Sequence, residues 1–143
     1  LGHQFLRHLM RTKLLLHLVD IAPLDPEADP VKEVRAIAAE LKKFDPSLAK
    51  KIRWLVFTKT DLLEPAEAKK RVADCVRRLR WTKPVFAISA VSGVGCKELT
   101  FAVQKHLQGV RDTEHKAETA RASKKAPLKA VASDHDERAA QIK

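Results

Sequence analysis

An α/β fold with a parallel sheet follows from three features of this sequence. Three short apolar runs, at 14–20, 52–58 and 84–88, are rich in leucine, β-branched and aromatic residues and are too short for helices. Each ends abruptly in polar residues. The segments between them carry apolar residues at helical spacing, the alternation expected of parallel strands joined by right-handed helical crossovers. In such a sheet the polar turns gather at the carboxyl ends of the strands, where open α/β folds hold their ligands.

The first element is a short helix over 2–11, with Phe5, Leu6 and Leu9 on one face. The run Leu14 to Asp20 is continuously apolar, which predicts a strand covered on both faces. His17 inside it reads as a packed core residue, and Asp20 as the start of a loop. That loop is punctuated by Pro23, Asp25-Pro26 and Asp29-Pro30. Asp29 is placed to cap a helix that opens with Pro30 and runs to about Phe44. Val31, Val34, Ile37, Ala38 and Leu41 form its inner stripe, and Lys32, Arg35, Lys42 and Lys43 its outer one.

Pro46 breaks this helix, and Lys50-Lys51 leads into the central strand, which ends in Thr58-Lys59-Thr60-Asp61. Pro65 suits the first turn of the next helix, which reaches about Arg80 and buries Val72, Cys75, Val76 and Leu79. Cys75 is then a small core residue. Lys70, Arg71, Arg77 and Arg78 lie on the opposite face. The strand Pro84–Ile88 is predicted buried and closes in Ser89-Ala90-Val91-Ser92-Gly93-Val94-Gly95. A last helix starts near Lys97 and buries Leu99, Val103 and Leu107, with Gly109 as its expected C-terminal stop. Beyond it, 110–143 has no aromatic residue and few apolar ones, too few to offset the entropy of ordering, and is predicted to be a mobile charged tail.

Composition narrows the function classes. The 143 residues are 45% hydrophobic, enough for one core of moderate size. No apolar run has membrane-spanning length and no signal-peptide pattern is present. Cys75 and Cys96 make no disulfide framework, so the chain is expected in a reducing cytoplasm. The histidines and cysteines never fall at zinc-ligand spacing, and Gly93-Val94-Gly95 lacks the third glycine of a dinucleotide fingerprint. No Gly-x-x-x-x-Gly-Lys-[Ser/Thr] occurs, so nothing cradles phosphates or offers a hydroxyl to Mg²⁺. The net charge of +10 divides into +2 on 110–143 (eight Lys/Arg, six Asp/Glu) and +8 on the body. Two basic helix faces therefore invite an acidic partner such as RNA.

The Thr58-Lys59-Thr60-Asp61 turn and the Ser89-Ala90 turn together resemble the guanine-recognition pair of the P-loop GTPases. The chemistry accounts for the residue types. The Asp61 carboxylate can accept from the ring N–H and the exocyclic amine of guanine, a pairing adenine does not offer. Lys59 can lay its alkyl stem along the base while its ammonium stays in water. The small Ser89-Ala90 turn lets a backbone N–H reach the guanine carbonyl oxygen.

Residues 1–107 resemble the second half of the GTPase domain of the Obg family, ribosome-associated bacterial GTPases. Phe5-Leu6-Arg7-His8-Leu9 resembles the family's segment after switch II, and Leu15-Leu16-His17-Leu18-Val19-Asp20 its fourth strand. Arg53-Trp54-Leu55-Val56-Phe57 resembles its base-binding strand, and Ile88-Ser89-Ala90 with Ser92-Gly93-Val94-Gly95 its final ligand turn. The resemblance implies a partial P-loop NTPase fold of three-layer αβα form, its last three parallel strands lying within 1–109. It implies GTP and GDP as ligands, at Thr58, Lys59, Asp61, Ser89 and Ala90, with Mg²⁺ needed only in the complete protein. It also implies a role in assembly of the large ribosomal subunit, with ribosomal RNA as partner and a monomer when complete.

The family's usual Asn is Thr58 here, which leaves a shorter-reaching hydroxyl to steady the base turn. The glycine-rich Obg domain, phosphate loop and switches are not matched, so this chain alone is not expected to hydrolyse GTP. The strand at 14–20, which the fold would pair with the phosphate-loop strand, is expected to leave an apolar edge prone to self-association. The alternatives are a non-catalytic module keeping the base turns by descent, or an RNA-contacting scaffold working through its basic helices.

Overall fold

Residues 1–142 are described in backbone, and 1–124 in side-chain environment, by a computed structural model of the chain. The elements run α1 (His3–Leu9), β1 (Leu15–Asp20), α2 (Pro30–Phe44), α3 (Pro46–Lys50), β2 (Arg53–Thr58), α4 (Pro65–Leu79), β3 (Val85–Ala87) and α5 (Cys96–Ile142). The fold is mixed α/β. Its three strands form one parallel sheet in the order β1-β2-β3. Residues 1–104 make one compact unit and 105–143 a second.

The helix starts follow their local chemistry. Asp29 takes the Val31 N–H at 3.0 Å with Pro30 in the first turn of α2, and Asp45 repeats the device for α3 with the Ser47 N–H at 2.8 Å and Pro46. At the far end of α4, Arg80 turns left-handed (φ 52°) and its N–H returns to the last helical carbonyls.

The register places His17 beside Leu55 and Val19 beside Phe57, which puts these four on one face of the sheet. There Val19, Ile21, Val31, Val34, Leu55, Phe57 and Cys75 form the main core between the sheet, α2 and α4. A second cluster of Leu6, Leu15, Leu41 and Leu48 packs under α1 and α3. On the other face Trp54 and Val56 are buried, with the Trp54 ring 5.4 Å from Phe86.

Three expectations change. β1 is covered on one face only: Leu16 is 40% and Leu18 62% exposed, because an edge strand has a neighbour on one side alone. Its unbroken apolar run does not report that. β3 is short and half-buried to exposed rather than buried, for the same reason at the opposite edge. The stop expected at Gly109 is absent, and α5 continues through it. An interior glycine costs a helix only about 1 kcal/mol. Here the Gly109 carbonyl also accepts the Thr113 hydroxyl at 2.9 Å, and Gln108 reaches Asp112 at 3.0 Å. The side chains of 125–143, most of the predicted mobile tail, lie outside the described residues. Among the described residues no helix is long and apolar enough to cross a membrane.

His17 does sit in the packed face, 8% exposed, with its Nδ1 lacking a partner among the described residues. Burial first, and then the Arg53 charge, lower its pKa to about 4. The folded chain thus keeps His17 neutral between about pH 4 and 6.5, where the unfolded chain binds a proton, so stability falls as pH drops through that window. The loss should approach about 3 kcal/mol at pH 4. Melts of the wild type and His17→Leu at pH 7.5 and 4.5 check this: the wild type should lose stability more steeply than the variant.

Candidate functional site

Backbone hydrogen bonds draw the ends of all three strands together. Ile21 N–H donates to the Thr58 carbonyl (3.2 Å), Ile88 N–H to Phe57 (2.8 Å) and Thr60 N–H to Ile88 (3.4 Å). The turns after β2 and β3 are therefore neighbours at the carboxyl edge of the sheet, and the sequence-predicted residues converge there.

Asp61 lies in a single 3-10 turn, Thr60–Leu62, entered through Lys59 in the left-handed region at φ 63°. For a residue with a β-carbon that conformation costs about 1–2 kcal/mol. The turn holds it against that cost. Asp61 itself is exposed, and the Ser89 hydroxyl, only 1% exposed, donates to its Oδ1 at 2.7 Å. Ser89 Oγ in turn accepts the Ser92 N–H at 3.1 Å. One carboxylate oxygen is thus clamped, and the rest of its lone-pair capacity faces outward.

The turn after β3 is closed on itself. Ser89 N–H donates to the Val94 carbonyl (3.0 Å) and Gly93 N–H to the Ser89 carbonyl (2.8 Å). With the Ser89 N–H taken, the exposed Ala90 carries the next N–H of the turn. Gly93 and Gly95 have φ of 81° and 77°, so the turn uses both. At Gly95 a β-carbon would also lie 2.3 Å from the Ala87 carbonyl oxygen.

Thr58 does not reach outward. Its hydroxyl donates to the Val19 carbonyl at 3.3 Å and ties β2 to β1. Sequence reading also missed the partner of Lys59. Asp20 stands beside Thr58 in register, and its Oδ2 lies 2.7 Å from the Lys59 ammonium while its Oδ1 accepts the Ala22 N–H at 2.8 Å. Burial raises the Asp20 pKa, but the Lys59 hydrogen bond, the Ala22 N–H and the Lys59 charge outweigh it and hold it below the usual carboxylate value. The signal for this pair was an aspartate ending the neighbouring strand, which sequence alone reads equally well as a loop start.

Beside Asp61 a cleft of about 630 Å³ runs between α4 and the last turn, walled chiefly by Leu63, Ala68, Val72, Ala87 and Val94. A hollow of about 680 Å³ lies elsewhere, between the loop after β1 and α4, and includes none of the predicted site residues.

The basic face of α4 is largely neutralised within the chain. Arg71 pairs with Glu67 (3.0 Å), Arg77 with Asp74 (2.5 Å), and Arg78 with Asp29 (2.6 Å). The Arg78 hydrogen bond is the main reason the Asp29 pKa is lowered. Among the described residues no group of three His, Cys, Asp or Glu gathers to hold a metal ion. No model of a known protein family matches the chain.

Proposed function

We propose that the chain is the guanine-recognition half of an Obg-like GTPase, with a partial P-loop NTPase fold. The observation that carries this reading is the Ser89–Asp61 hydrogen bond, which ties the turn after β2 to the turn after β3. A planar base with a carbonyl oxygen, a ring N–H and an adjacent amine matches the donor of one turn and the acceptor of the other. Asp61 accepts the two N–H groups, Ala90 N–H meets the carbonyl oxygen, and Lys59, held by Asp20, lays its stem over the ring. Thr58 and Ser89 shape the turns rather than touch the base. In the complete GTPase, GTP would bring its phosphates and Mg²⁺ to residues outside this chain, and the protein would serve assembly of the large ribosomal subunit in the cytoplasm. The RNA-scaffold reading is weakened by the arginines of α4, which are engaged with carboxylates of the chain itself.

The direct test is titration of the ¹⁵N-labelled chain with guanosine and with adenosine. Guanosine should shift the amides of Asp61 and Ala90, and adenosine should leave them in place. Equal responses to both, or none at either amide with guanosine, would overturn the reading.

The polypeptide 1–143 is also expected to show no GTP hydrolysis, since phosphoryl transfer depends on phosphate positioning and charge stabilisation that these residues do not supply. Steady phosphate release that disappears in Asp61→Ala would contradict this.

A further inference from the structure

Asp20 does more than end β1. Thr58 grips the residues on either side of it: its hydroxyl donates to the Val19 carbonyl at 3.3 Å, and its carbonyl accepts the Ile21 N–H at 3.2 Å. From α4, Arg71 donates to the Ile21 carbonyl at 3.2 Å. The carboxylate is set as firmly as the backbone, with Oδ1 on the Ala22 N–H at 2.8 Å and Oδ2 on the Lys59 ammonium at 2.7 Å. Lys59 is therefore tethered at both ends, its α-carbon in the left-handed turn at φ 63° and its ammonium on the neighbouring strand. Its side chain is still 56% exposed, so much of the stem stays open to a ligand. An ion pair this exposed adds little to stability. Its consequence is where the ammonium goes. Asp61 follows two residues later in the same turn, with Oδ1 bonded by Ser89 and its other oxygen without a partner among the described residues.

We infer that Asp20 is a positioning residue of the base site, holding the Lys59 ammonium away from Asp61 and keeping the Lys59 stem extended for the ring. The role rests on the guanine reading above and adds to it a residue that does not touch the base. Without the Asp20 carboxylate, Lys59 regains the rotamer freedom of a long side chain, and binding must order it. The Asp61 carboxylate then attracts the released ammonium, and the N–H groups of the base compete with it for the same oxygen. An asparagine side chain separates the two duties of Asp20. Its oxygen still accepts the Ala22 N–H, so the turn leaving β1 stays capped. Its nitrogen, a donor without charge, replaces the oxygen that holds Lys59.

The experiment is a guanosine titration of the ¹⁵N-labelled chain, followed at the Asp61 and Ala90 amides, on the wild type, Asp20→Asn, Lys59→Met and the double variant. Asp20→Asn should bind guanosine about 2- to 10-fold more weakly, the factor expected for ordering one long side chain, with an unchanged melting temperature. Lys59→Met keeps an unbranched apolar stem and loses the ammonium, so in that background Asp20→Asn should cause no further loss. Asp20→Ser, whose hydroxyl can also accept the Ala22 N–H, repeats the comparison should the Asn variant fail to fold. A wild type that does not respond to guanosine would sink the base-recognition reading and this role with it. A responding wild type matched in affinity by Asp20→Asn, or an equal loss from Asp20→Asn in the Lys59→Met background, would overturn the role of Asp20 alone.

Discussion

Asp61→Asn should move base preference from guanine to xanthine. In the proposed pose the Asp61 carboxylate accepts two hydrogen bonds from guanine, and charged hydrogen bonds contribute roughly 1.5–3 kcal/mol each. Losing both would weaken guanine-nucleotide binding by several kcal/mol. The Ser89 hydroxyl makes the exchange specific, because it donates to Oδ1 and so favours an amide with oxygen on that side. The Asn nitrogen is then aimed outward, towards the oxygen that replaces the guanine amine in xanthine. Adenine fares worst on the wild type, where the carboxylate would meet a ring acceptor. Sites built on such hydrogen bonds reject the mismatch by about 10⁴ to 10⁵. Competition of guanosine, adenosine and xanthosine for the wild-type chain and Asp61→Asn measures this. A variant that loses stability but keeps its guanine preference would reduce Asp61 to a turn-capping residue, which contributes about 1 kcal/mol.

The second large effect is expected at Gly95. Its φ of 77° is unfavourable for any residue with a β-carbon, and an added methyl would stand 2.3 Å from the Ala87 carbonyl oxygen, a backbone atom with little freedom to move. The left-handed conformation costs about 1–2 kcal/mol and a steric insertion about 1–3, so Gly95→Ala should destabilise the chain by about 2–5 kcal/mol. The neighbouring Gly93 supplies the comparison. Its φ is 81°, but nothing lies within 4 Å of the position a methyl would take, so Gly93→Ala should show the conformational cost alone. Denaturant melts of both variants separate the two contributions. Equal losses at the two positions would mean that the approach to Ala87 is relieved elsewhere. Because the Gly95 turn holds Ser89 in place, Gly95→Ala should also loosen the clamp on Asp61.

That the candidate residues gather at one edge of the sheet was legible in one dimension. Lys59, Asp61, Ser89 and Ala90 lie in the turns that end apolar runs, and the parallel sheet brings those turns together. The Asp20–Lys59 pair was not legible, because it depends on which residue of β1 stands beside Thr58, a matter of register between segments 39 residues apart. The same holds for α4. Its arginines read as a free basic face, yet Arg78 bonds Asp29 across 49 residues, and only packing of α2 against α4 brings the two together. The Thr58 hydroxyl was read as steadying the base turn, and that it bonds the Val19 carbonyl of the neighbouring strand depends on the same register.

By itself the sequence determined what depends on residues close along the chain. The inner stripes of α2 and α4, the Asp29 cap, the proline starts and the polar turns after each strand follow from periodicity and local hydrogen bonding, and the structure carries each of them. What only the tertiary structure decided depends on neighbours distant in sequence. An apolar run states that a strand can be buried, but strand order decides whether it is: β2, in the middle, is covered on both faces, while Leu16 and Leu18 on β1 stand exposed. A glycine permits a helix to end, but Gly109 does not compel it, and α5 runs on because the helical bonds around it persist. Burial is a property of the surroundings, and a chain read residue by residue carries only the capacity for it.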